Sequence, residues 1–322
     1  MTKGYKTILA CFASAVLLIG CDVGENTTQE KQDKRLSDSE LLKLQDIKAV
    51  KDGTQFLFGF DLRSSPQEDA RQYLPFLNYL EQKTGYRFKL RFTPRDGKIV
   101  DDLGKGIIQF AAIGAVSYIQ AADKYNVKPL VRGLNIENKA EYQSMIIVRS
   151  NSPIRKLDDL RGKRLAFGSR TSTQGHLIPR IELSKNNIKL SQLQSYEYMG
   201  SHQKCADAVI SGRFDACGLQ DTMAKDLQRQ HKVRILHRSG YFPSSGIVVN
   251  KDVAEEVIVK VRQAMLDFQP KGKDEPKLYN WNKTEMPNGF VAADNNDYVS
   301  LRKWLTRLGL NNKQKASVKL SK

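Results

Sequence analysis

Cysteine is scarce in this chain: of 322 residues only four, Cys11, Cys21, Cys205 and Cys217, are cysteine. None stands in a close-spaced pair, which excludes zinc-finger spacing, and no His/Cys/Asp cluster with metal-ligand spacing replaces it. A Gly-x-Ser-x-Gly elbow is missing, and no evident carboxylate is placed to orient a histidine. Catalysis by Ser172 with His202 is therefore the weak alternative, and no enzyme and no cofactor are expected. Acidic residues are short as well, 35 against 52 basic ones, for a formal charge of +17. Such an excess attracts nucleic acid, an anionic membrane surface or an acidic small ligand. No recognition-helix motif and no aromatic–basic RNA signature accompanies it, so nucleic acid is set aside. The lysines and arginines are scattered, which fits solubility and attraction to lipid first and an anionic ligand only second. No internal repeat or long low-complexity tract stands out.

What is present begins with an export signal at residues 1–20. Lys3 and Lys6 form a short basic region, and Thr7 to Gly20 is apolar but shorter than the roughly 20 residues that span a bilayer. Leu18-Ile19-Gly20-Cys21 resembles the bacterial lipobox, which implies lipidation of Cys21 and acyl chains that anchor a soluble domain. Asp22 resembles the signal for retention at the inner membrane, so the expected location is the periplasmic face of that membrane (or the cell surface in a Gram-positive organism). Loss of residues 1–20 removes two lysines and no acid from the charge of +17. Residues 21–53 are polar and of mixed charge, and read as a tether with one short helix at Asp38–Val50.

The rest is long enough for two ordinary domains. Apolar strand-like runs at Gln55–Phe60, Phe88–Phe92, Ile108–Gly114 and Val127–Val131 alternate with helical spacing at Tyr73–Leu80, Ile99–Gly106 and Ser117–Tyr125. Ser64-Ser65-Pro66 reads as a turn. The alternation restarts after Tyr142–Val148, with strands at Arg164–Gly168, Ser195–Tyr198, Ala216–Leu219, Val233–Leu236 and Gly246–Asn250. Helices are expected from His176 and over Gln203–Ser211. This pattern predicts an α/β protein of two lobes, each a mainly parallel sheet flanked by helices. Residues 54–146 and 250–322 are assigned to lobe 1 and 147–249 to lobe 2. Ser144–Val148 and Ile247–Asn250 are the expected hinge crossings. Cys205 and Cys217 read either as a disulfide of an oxidising compartment or as two buried thiols.

The most informative run is Thr171-Ser172-Thr173-Gln174-Gly175-His176-Leu177-Ile178-Pro179, between a strand and a helix. Its three hydroxyls sit beside the unpaired N–H groups of a helix N-terminus, which suits an anion. A helix cap from Ser172 or Thr173 is the alternative reading.

Together these residues resemble the phosphate/phosphite/phosphonate-binding receptors of ABC transporters, over about Phe56 to Leu310. The resemblance rests on Asn78–Gly85, Gly114–Ala121, Leu157–Lys163, Ser172–Pro179, Gly200-Ser201-His202 and Gly212–Ala216. It implies a type II periplasmic-binding-protein fold that closes by hinge motion on a phosphorus oxyanion. The family's Ser-Thr-Ser-Gly falls on Ser172, Thr173, Gln174 and Gly175, so Gln174 departs from the third serine. The family histidine falls on His202 and a first-lobe tyrosine on Tyr118, with Phe60 lining the same lobe. A second tyrosine has no counterpart around Arg95-Asp96-Gly97. Ser245 stands where aminophosphonate receptors carry an acid, which argues against a cationic aminoalkyl tail. His176 is expected near the groove, and Asp215 is expected to serve the fold. Implied partners are a small oxyanion, a permease with its ATPase, and the membrane through the lipid anchor; a monomer is expected. A ligand sensor or scaffold with a repurposed cleft is the remaining alternative.

Overall fold

The computed structural model describes residues 55–93 and 98–310. The export signal, Cys21 and its tether, the stretch at 95–97 and the C-terminal residues beyond 310 lie outside the described residues. Strand β1 (Gln55–Phe60) is buried along most of its length because parallel partners flank it on both sides. Helix α1 (Pro66–Thr84) begins where a turn was expected. Ser65 is its N-cap, its Oγ accepting from Glu68 N at 3.2 Å, and Pro66 occupies the first turn, where its missing N–H has no partner to lose. Gly85, at φ 72°, ends the helix in the left-handed conformation. Then follow β2 (Arg87–Leu90), α2 (Ile99–Gly104), β3 (Phe110–Ile113), α3 (Ala115–Tyr125) and β4 (Lys128–Gly133).

The chain next crosses to a second sheet. A short strand β5 (Glu141–Tyr142) precedes β6 (Ser144–Arg149), β7 (Arg164–Phe167), α4 (Ile178–Lys185), β8 (Ser195–Tyr198), α5 (His202–Ile210), β9 (Ala216–Gln220), α6 (Asp221–Arg229) and β10 (Val233–Arg238). It returns through β11 (Phe242–Pro243) into β12 (Gly246–Val249), and α7 (Glu255–Leu266), β13 (Phe290–Ala292) and α8 (Val299–Arg307) complete the described chain. The first sheet has the order β13-β4-β12-β3-β1-β2 and the second β10-β6-β9-β7-β8, while β5 and β11 pair with each other in a two-stranded ribbon.

Two expectations need correction. The sheets are mixed instead of mainly parallel: β12 runs antiparallel to both β3 and β4, and β6 to both β9 and β10. These are the strands that enter each half from the crossing, so they arrive against the direction of the βαβ units. The boundaries shift for the same reason. Ser144–Ile146 already belong to the second sheet and Gly246–Val249 to the first, so the crossings are the β5–β11 ribbon, a few residues from the expected hinges.

The core of the first half is aromatic. Phe76, 0% exposed, lies 5.0 Å from Phe268, 5.1 Å from Trp281 and 5.6 Å from Phe290 between ring centroids. Asp215 serves the fold: its Oδ2 accepts from Arg164 N at 2.8 Å and its Oδ1 from Arg164 Nη2 at 2.9 Å, tying the start of β7 to the turn before β9. His237 lies on β10 and meets Glu182 at 2.9 Å. Cys205 and Cys217 are joined in a disulfide that ties α5 to β9 inside the second core.

Phe76→Ala is expected to destabilise the protein by about 3–5 kcal/mol in urea unfolding, as emptying a packed aromatic site does. A value below about 1 kcal/mol would contradict the packing. Both disulfide cysteines are 0% exposed, so dithiothreitol should leave the bond intact in folded protein and cleave it only in denaturant. Thiol alkylation followed by mass measurement checks this.

Candidate functional site

A cavity of about 30 Å³ lies between the two sheets. It is lined from the first half by Asp61, Leu62, Arg63, Gly114, Ser245 and Glu285, and from the second by Ser169, Ser172, Thr173, Gln174, Ser201 and His202, with Tyr142 from the ribbon. Three helix N-termini converge on it: Gly114 caps α3, Ser201 caps α5, and Ser172 caps a π-helical turn, Thr173–Leu177, that runs on into α4. Aligned peptide dipoles and unpaired N–H groups make such a point attractive to negative charge.

Local sequence explains the turn. Gly218 on β9 leaves room for it: a Cβ there would lie 2.5 Å from Pro179 and 3.0 Å from Gly175 O. Gly175 is equally constrained, since a Cβ would fall 2.8 Å from Ser172 Oγ and 3.0 Å from the His202 ring. The backbone thus lies flat against the sheet, and Ser172 Oγ accepts from Gly175 N at 2.9 Å. Ser201 Oγ does the same for Lys204 N at 3.2 Å. Each cap uses an oxygen lone pair and leaves the hydroxyl proton for a ligand. Capping and donation, opposed in the sequence reading, are therefore compatible.

Thr173 has a different task. Its Oγ1 accepts from Val116 N at 3.0 Å, satisfying the first turn of α3 in the opposite half. Gln203 N, at the start of α5, bonds Arg63 O at 3.4 Å and forms a second link across the cleft. Gln174 lines the cavity; its Nε2 reaches Gln143 O at 2.7 Å and Asp221 Oδ1 at 3.2 Å, and its buried Oε1 has no protein partner. His202 is buried, and burial lowers its pKa to about 4, so the ring is neutral at physiological pH. Its Nδ1 is buried without a protein partner.

Other expected contacts lie elsewhere. Thr171 is half-buried and faces Ser169, 3.4 Å between hydroxyl oxygens, and it is Ser169 that lines the cavity. Tyr118 points away: its hydroxyl donates to Asn295 Oδ1 at 2.9 Å and its ring packs 4.5 Å from Tyr298. Phe60 stacks on Tyr73 at 5.3 Å and meets Phe92 edge-on at 5.2 Å, in the first core. His176 is buried beside the groove, its ring nitrogens 2.8 Å from Arg170 O and 3.1 Å from the Tyr198 hydroxyl.

Sequence reasoning missed the charged part of the site. Arg63 Nη2 donates to Glu285 Oε2 at 3.0 Å, and both residues are buried. Burial alone would lower the Arg63 pKa, but Glu285, Tyr73 and Asp61 outweigh it and keep the guanidinium firmly protonated. Burial pushes Glu285 up; Arg63 and a hydrogen bond from Ser245 more than reverse this and hold it below the usual carboxylate range. Asp61 is half-buried, and Gly114 N at 3.0 Å and Ser117 Oγ at 2.9 Å both donate to its Oδ2. Desolvation dominates there and raises its pKa despite Arg63 and those two bonds. The cavity thus holds two carboxylates although Ser245 is not an acid. The one sequence sign was an Asp-x-Arg step directly after a buried strand.

The fold agrees with the comparisons. The family model for the periplasmic substrate-binding protein of phosphonate ABC transporters matches residues 58–298. The phosphonates-binding periplasmic protein of Escherichia coli is 27% identical over 221 residues, 66% of this chain and 65% of that protein. A probable ABC transporter phosphite-binding protein of Prochlorococcus marinus is 28% identical over 169 residues, 50% of each. The chain thus spans between half and two thirds of these relatives. A solved Prochlorococcus marinus structure in complex with methylphosphonate superimposes with a TM-score of 0.71 at 18% identity, covering 80% of this chain and 98% of that one. The type II periplasmic-binding-protein fold is shared, and no helix among the described residues is long and apolar enough to cross a membrane. The chain belongs to the family of phosphonate periplasmic substrate-binding proteins of ABC transporters.

Proposed function

We propose that this protein is the solute receptor of an ABC importer and that its two halves close on a small phosphorus oxyanion: a phosphonate, phosphite or phosphate. The observation that carries the reading is the meeting of three helix N-termini, each with a capping residue at the wall, in one cavity between the halves. Ser169, Ser172 and Ser201 supply hydroxyl donors there, and Arg63 Nε and His202 Nδ1 are buried without protein partners. A cavity of about 30 Å³ corresponds to about two or three waters, the scale of one tetrahedral oxyanion with a small substituent. Names of relatives that bind phosphonates and phosphite support the same class. No chemistry on the ligand is needed. Closure excludes water from the charge-assisted bonds and strengthens them, and the closed surface is what a permease with its ATPase would recognise. The receptor works as a monomer, held by lipid on Cys21 at the periplasmic face of the inner membrane.

Calorimetry with phosphate, phosphite and methylphosphonate tests the reading; micromolar or tighter binding of at least one, about −8 kcal/mol, is expected. Ser172→Ala combined with Ser201→Ala should weaken that binding at least ~100-fold, since each loses a hydrogen bond to a charged group. Near-wild-type thermal unfolding would show that the fold survives, and unchanged affinity would remove these serines from the site. Cys21→Ser should move the protein from the membrane fraction to the soluble periplasm; continued membrane association would contradict the anchor.

A further inference from the structure

The cavity contains more negative charge than an anion receptor needs. Among the described residues the one guanidinium lining it, Arg63, is already paired with Glu285 at 3.0 Å, and the Asp61 carboxylate stands beside them on the same wall. The described charged side chains at the wall therefore supply no net positive charge, and attraction for the ligand comes from the helix N-termini, the hydroxyls and the unpartnered Arg63 Nε–H. Ionised, the Asp61 carboxylate can only accept, so facing a fully ionised oxygen it would repel the ligand, and the burial that raises its proton affinity strengthens its demand for a hydrogen from the ligand. Both hydrogen bonds that Asp61 receives from Gly114 N and Ser117 Oγ fall on Oδ2, which fixes the carboxylate plane and leaves Oδ1 to accept from elsewhere. Gln174 Oε1, buried and without a protein partner, is a further acceptor on the opposite wall.

Resting on the oxyanion reading above, we propose that Asp61 is a specificity-determining residue that admits only oxyanions carrying a proton, by accepting the P–OH hydrogen of the bound ligand. The remaining ligand oxygens take the hydroxyls of Ser169, Ser172 and Ser201. Glu285 keeps Arg63 neutralised, so a dianion gains no ion pair that a monoprotonated ligand lacks. A sulfonate or sulfate has the same tetrahedral shape but no proton to give, and its oxygen would meet a carboxylate. The small cavity places the donor on the oxyanion itself instead of on an aminoalkyl arm.

The test compares isosteres on the full chain by calorimetry: methylphosphonate against methanesulfonate, and phosphate against sulfate, with 2-aminoethylphosphonate as a third arm. The wild-type protein should prefer each phosphorus ligand by ~1,000-fold or more, as sites built around a ligand hydroxyl do. Asp61→Asn, whose amide can donate, should reduce that preference to within about 10-fold, mainly by admitting methanesulfonate. Methanesulfonate binding to the wild type within 10-fold of methylphosphonate would overturn the proposal without needing a variant to fold. So would an Asp61→Asn protein that keeps the full preference, or a 2-aminoethylphosphonate affinity ten times that of methylphosphonate, since the carboxylate would then be reading an ammonium. Failure of the wild type to bind any phosphorus oxyanion would instead strike the functional reading, and this proposal with it.

Discussion

The buried Arg63–Glu285 pair is the contact on which the site depends. It joins the loop after the first strand to the segment before β13, 222 residues later. The same arginine uses its backbone N–H on Asp69 Oδ2 at 2.9 Å, its Nη1 on Asp61 O at 2.6 Å, and its carbonyl oxygen to receive Gln203 N of the opposite half. One residue therefore sets the start of α1, the position of Asp61 and one of the links across the cleft. Two charges out of water are stable only while each has the other and further hydrogen bonds complete their shells. Losing either partner would strand a charge, so the arrangement specifies one geometry more than it adds stability.

Much of the fold was legible because its signals are local. Strand β8 lies at Ser195–Tyr198 as read, and β1 at Gln55–Phe60, since apolar runs bounded by turn residues need no distant information. The Ser172–Gly175 turn was legible for the same reason: hydroxyls and a glycine at a helix start reveal a cap whatever else surrounds it, whereas Gly200-Ser201-His202 was picked out by the family resemblance. The β5–β11 ribbon was not, because two-residue strands have no periodicity to read. Tyr118 shows the limit at a junction: it lies in the first turn of α3, and the rotation of the helix turns its ring towards Tyr298 and away from the cavity.

Arg63, Asp61 and Glu285 were illegible on different grounds. Each sits in irregular backbone, and its partners lie far off in sequence: Glu285 for Arg63, and Gly114 and Ser117 for Asp61. Composition pointed the wrong way, since a chain with a charge of +17 directs attention to cations at an anion site. Three helix N-termini at the cavity add peptide dipoles, which no count of side chains records.

The ribbon of β5 and β11 has a mechanical consequence. Among the described residues the chain passes between the sheets twice, and the two passages lie side by side, hydrogen-bonded at Phe242–Tyr142 and Pro243–Glu141. Two adjacent attachments along one edge define a single axis, as pins do for a door. Swinging about that axis leaves both sheet ladders whole, whereas sliding or splaying in other directions would tear one. The opening coordinate is thus nearly one-dimensional, and the bonds from Val116 to Thr173 and from Gln203 to Arg63 are the contacts that opening would have to break.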